Sequence, residues 1–233
     1  MITQPNPASE FHNEARLLRS LGQLARGLSA LFWGLPAWLI VSVETAKVES
    51  LRPLGILPAL ALNGLLLFGL WQLASFQRQE RPWRTALDRA LLPGLVNLGL
   101  CPFLFWFSRM PGQLFFQAAV GVLALSALIF LFNLNLVLRQ LGAMLPDEAL
   151  RQETRQFTAL NRWLIFALVA FGSLVNAAPG LVGQQLGPQF FFWLQHIEIT
   201  VLLFLGLAPL AITMALLWKT KEVILDSVFG HRD

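Results

Sequence analysis

Long, nearly unbroken apolar runs alternate with short polar stretches along this chain. Six runs stand out: Gly27 to Val43, Leu54 to Phe76, Ala90 to Phe107, Leu114 to Leu138, Trp163 to Val182 and Ile199 to Trp218. A helix rises about 1.5 Å per residue, and the hydrocarbon of a bilayer is about 30 Å thick, so runs of this length are membrane spans. The first and third are the shortest. The runs are apolar on every face, whereas membrane strands would alternate apolar and polar positions. The pattern predicts an all-α polytopic membrane protein, a bundle of six transmembrane helices. Residues 1–26 form a tail, 27–218 the transmembrane domain and 219–233 a second tail.

The polar stretches carry structure of their own. Glu10 to Arg26 reads as an amphipathic helix. At 100° per residue, Phe11, Ala15, Leu17, Leu18, Leu21, Gly22, Leu24 and Ala25 share one half of the wheel. His12, Arg16, Arg19, Gln23 and Arg26 share the opposite arc, and Glu14 alone breaks the pattern. Such a helix lies in the membrane interface with its arginines on lipid phosphates. The tail precedes the first run without a small-x-small cleavage pattern, so that run is expected to stay as an anchor. The fourth loop, 139–162, is the longest. Pro146 and Asp147 suit a helix start, after which Arg151, Arg155 and Arg162 fall in one stripe, again facing lipid phosphate. The fifth loop reads GQQLGPQ and then FFFWLQHIE after Asn176, Pro179 and Gly180 end the preceding helix. It is expected to lie on the outer interface or to dip back into the membrane.

Charge fixes the orientation. Charged residues are 13% of the 233, about half the share in a soluble domain, and 56% are apolar. Fourteen of the seventeen basic residues lie on the side of the termini; Lys47, Arg52 and Arg109 lie on the other. By the positive-inside rule both termini are cytoplasmic, a parity that six spans satisfy. Trp71, Trp83, Trp163 and Trp218 fall near the inner boundary and Trp38, Trp106 and Trp193 near the outer one, as an aromatic belt would. Ten of the thirteen acids share the inner side, so the net charge of +4 belongs to a face that meets anionic lipid. The pI near 10.2 is therefore no sign of nucleic acid. Fourteen arginines against three lysines are compatible with a GC-rich bacterial genome, and the expected site is a bacterial cytoplasmic membrane.

Chemistry-bearing residues are sparse. The single cysteine, Cys101, rules out an internal disulfide, and the three histidines are scattered between the two sides. No phosphate loop, HExxH or nucleophile elbow is present. No cofactor or metal is implied, and an enzyme is not expected. Glu198, with His196 beside it, is the foremost ionisable contact inside a span, but the two point about 200° apart on a helix. Asn63 and Asn97 sit near mid-depth of the second and third runs and could bond across that hairpin. Asn176 lies in the outer half of the fifth. These five residues are the candidates for a polar path or contact. Asn133 and Asn135, two apart, face different neighbours.

The favoured function is a non-enzymatic membrane scaffold or assembly component. The first alternative is a transporter's membrane subunit. Six spans, an inner amphipathic N-helix and a hydrophobic outer loop before the last span resemble the permeases of ABC exporters, in architecture and in no sequence motif. That resemblance implies a separate ATPase subunit as partner. An intramembrane enzyme acting on lipid is the third reading, which the lack of a convergent acid, base or metal set disfavours.

Overall fold

A computed structural model describes the backbone of residues 7–47, 54–76, 80–110, 112–144, 148–182 and 188–229. Side chains are described within these stretches outside 7–18, 47, 149–150, 171, 174–203 and 227–229. Seven helices make up the described chain: α1 (Pro7–Lys47), α2 (Leu57–Ala74), α3 (Arg81–Leu100), α4 (Pro102–Arg109), α5 (Leu114–Met144), α6 (Glu148–Val182) and α7 (Pro188–Phe229). No strand occurs among the described residues. Four stretches are long and apolar enough to cross a membrane: 19–46 of α1, 57–74, 81–109 through α3 and α4, and 114–144.

The helices outrun the apolar runs that predict them. Leu, Arg, Gln and Glu are all good helix formers, so a change from apolar to polar residues ends a span without ending a helix. Hence α1 passes position 26 without a break, joining the amphipathic tail to the first apolar run. α3 begins at Arg81, nine residues before its apolar run. The expected fourth loop is almost wholly helical, since α5 extends to Met144 and α6 starts at Glu148. α6 runs past Asn176 to Val182, and α7 takes in the FFFWLQHIE segment from Pro188 onward. The backbone of that segment is thus helix, and the expected outer loop shrinks accordingly. The third run is divided instead, because Pro102 has no N–H to continue the ladder and α4 starts there anew.

Each long helix buries one stripe. On α1 it is Leu24, Leu28, Leu31 and Leu35; on α3 it is Trp83, Leu87, Ala90, Pro93 and Asn97. These spacings of three and four residues follow one face of a helix. α1 packs on α2 and α7, α2 on α3, α3 on α5, α5 on α6 and α6 on α7, so the six long helices close a ring in chain order. α4 bridges α1 and α5. The outer surface is apolar: Trp33, Ile40, Leu57, Trp71, Leu92, Phe115, Val122, Phe166 and Phe204 are all exposed. A water-soluble domain rarely exposes apolar patches on this scale, whereas lipid tails solvate them.

One contact sets the spacing of α1 and α2. A Cβ on Gly27 would lie 2.8 Å from the backbone oxygen of Gly69, and one on Gly69 would lie 2.8 Å from Leu31. Only paired glycines let these backbones approach so closely. Trp83 corrects the expected inner belt. It is fully buried, with its ring edge-on to Phe76 at 6.4 Å and its indole N–H donated to the Phe76 carbonyl at 3.1 Å. Because α3 starts at Arg81, Trp83 falls on the same stripe as Leu87 and Ala90 and so turns inward. Trp71, Trp106, Trp163 and Trp218 are exposed, Trp38 is half-buried against the core, and the side chain of Trp193 lies outside the described residues.

Candidate functional site

The richest polar cluster in the described interior joins three helices. Thr213 of α7 is fully buried, and its hydroxyl donates to the Pro209 carbonyl of its own helix at 2.7 Å. Two amides donate to that same oxygen: Asn135 Nδ2 of α5 at 2.8 Å and Asn161 Nδ2 of α6 at 3.0 Å. Asn135 Nδ2 also reaches the Leu131 carbonyl at 2.8 Å. A hydroxyl offers one donor and two acceptor positions, so Thr213 uses all three. The amide oxygens of Asn135 and Asn161 have no hydrogen-bond partner among the described residues.

The α6 face that supplies Asn161 is polar below it as well. Thr154, Thr158, Asn161 and Ile165 recur at four, three and four residues and are all buried. Thr220 is fully buried on α7, seven residues beyond Thr213. At the end of this face Glu153 pairs with Lys219, both partly exposed. The described side chains at the node and on this face above that pair are neutral. They can donate and accept hydrogen bonds, and they supply no acid, base or nucleophile.

The residues singled out from sequence are dispersed. Asn63 is buried on α2 and donates to the Ala59 carbonyl of its own helix at 2.9 Å, and its side chain also reaches the Cys101 thiol. Asn97 is buried on α3, and its Oδ1 has no partner among the described residues. No bond across the α2–α3 hairpin joins Asn63 to Asn97. Ser126 of α5 donates to the Pro93 carbonyl of α3 at 3.2 Å, one turn from Asn97. Asn135 lies nine residues further along α5, about 13 Å at the helical rise, so the two polar regions are separate. The side chains of Glu198, His196 and Asn176 lie outside the described residues, as does that of Arg16. Arg19, Arg26, Arg151, Arg155 and Arg162 are all exposed, and Arg151 reaches the Ala143 carbonyl at the end of α5.

Asn161 and Thr213 were not singled out from the sequence. The spacing of Thr154, Thr158 and Asn161 is a legible signal on the helix that Pro146 and Asp147 announce. Removing the shared acceptor tests the node. Thr213→Val leaves two buried amide N–H groups short of a partner and is expected to cost about 1–2 kcal/mol, near the top of the range for polar contacts between membrane helices. Thr45→Val is the control, because Thr45 bonds only to the Val41 carbonyl of its own helix and should cost little. Thermal unfolding in detergent reads both. Among the described residues no group of three or more His, Cys, Asp or Glu could hold a metal ion. No protein-family model, no curated protein and no solved structure matches the chain.

Proposed function

We propose that this protein is a six-span scaffold of a bacterial cytoplasmic membrane, holding partner proteins at its basic cytoplasmic end. α6 and α7, at 35 and 42 residues, supply the fifth and sixth spans, since each is longer than the roughly 30 Å of hydrocarbon requires. The first part of α1 is the interfacial helix. Ring neighbours run antiparallel, which gathers the start of α1, the end of α2, the start of α3, the end of α5, the start of α6 and the end of α7. Those ends carry the described basic residues other than Lys47 and Arg109. Both termini are cytoplasmic on this reading, and Arg19, Arg26, Arg151, Arg155 and Arg162 meet anionic headgroups.

The observation that carries the scaffold reading is the chemistry of the interior. Among the described residues no Asp, Glu, Lys, Arg or His is buried. Proton relays and ion pathways use intramembrane ionisable groups, whereas neutral amides and hydroxyls that bond helix to helix serve cohesion. Purification from native membrane in mild detergent tests this. The expected result is a second protein retained in stoichiometric amount. A co-purifying ATPase would favour a transporter subunit instead. A protein that elutes alone and carries solute across liposomes by itself would contradict the scaffold.

A further inference from the structure

The α6–α7 interface has a polarity that helix cohesion does not use up. Two contacts fix its antiparallel register: Glu153 with Lys219, and Asn161 with Thr213. Between them lie Thr154 and Thr158 on α6 and Leu216 on α7, and Thr220 follows Lys219 directly; all are buried, with Thr158 at the level of Leu216 by that register. Beyond the node the polarity stops at Ile165 and Pro209, both buried. At the other end Glu153 and Lys219 keep side-chain exposures of 38% and 43%, so the seam starts at solvent. Four polar atoms along or beside it have no partner among the described residues: the Oδ1 atoms of Asn135 and Asn161 and the Oγ1 atoms of Thr158 and Thr220.

Those atoms define the guest they suit. Two are amide oxygens, which only accept, and two are hydroxyls, which do both. A ligand must therefore donate at least twice and also accept. It must be small, because every residue lining the seam between its mouth and its closed end is buried. It must be neutral, because an ion here would shed its hydration with no opposite charge to replace it. Water meets all three conditions, and buried water characteristically bonds polar groups that the protein leaves unpaired. We propose that the α6–α7 seam is a hydrated, dead-end cleft, entered beside Glu153 and Lys219 and closed above Thr213 by Ile165 and Pro209.

Radiolytic footprinting of the full-length protein in detergent tests this directly, since X-ray pulses generate hydroxyl radicals from water in place. Leu216 should be oxidised several-fold faster than Leu28 and Leu31, which are buried as completely in α1. Thr158→Val removes one water partner and should lower the Leu216 rate towards theirs. Leu216 reacting no faster than Leu28 and Leu31 in the unaltered protein would overturn the proposal, whether or not the variant folds.

Discussion

Replacing Trp83 with alanine is expected to cost about 3–5 kcal/mol, the range for deleting a fully buried large aromatic side chain. The residue has no exposed surface, and it holds the turn between α2 and α3 in two ways. Its ring stands edge-on to Phe76, and its N–H satisfies the Phe76 carbonyl just past the end of α2. Alanine removes the packed volume and leaves that carbonyl without its donor. For a chain of this size, thermal midpoints should fall by roughly 10 °C. Trp83→Phe keeps most of the volume and loses the N–H, so it should fall between. Trp71→Ala, on the exposed face, should barely move the midpoint.

Gly27→Leu is expected to disrupt the bundle rather than soften it. The nearest atoms to a Cβ at Gly27 are the Gly69 backbone oxygen at 2.8 Å and the Gln72 Cβ at 3.0 Å. Neither is the free end of a flexible side chain, so α1 and α2 must move apart. That opens the interface between Leu28, Leu31 and Leu35 on α1 and Leu66, Leu70 and Leu73 on α2. Overpacking alone costs about 1–3 kcal/mol, and the separated leucines add to it. Gly27→Ala should already destabilise. Gly22→Ala in the same helix meets nothing within 4 Å and should stabilise by up to about 1 kcal/mol through helix propensity. Size-exclusion profiles and unfolding midpoints of the three variants give the comparison.

The apolar runs carry most of what is legible in the sequence, because in lipid every backbone group must be satisfied internally and a long apolar run has no option but helix. They are blind to where helices end, since Arg81 or Glu148 can start a helix as readily as an apolar residue. The helix start expected at Pro146 and Asp147 agrees with α6 beginning at Glu148, but that helix is read by its arginines, so the neutral stripe of Thr154, Thr158 and Asn161 beside them passes unnoticed. Thr213 alone in an apolar run signals nothing, because a membrane threonine commonly bonds back to its own helix. Its role comes from two asparagines delivered by α5 and α6, a tertiary fact. Trp83 shows the same limit: its arginine neighbours suggest an interface, and its helical phase puts it in the core. The exposure of Arg19, Arg26, Arg151, Arg155 and Arg162, by contrast, follows from charge alone.

The proposed six-span bundle puts its basic end in the cytoplasm. Paired reporter fusions test it, with alkaline phosphatase, active only outside the cytoplasm, and a fluorescent protein that matures only inside it. A fluorescent, phosphatase-silent C-terminus after α7 and an active phosphatase between α6 and α7 are expected. An active phosphatase at the C-terminus would contradict it.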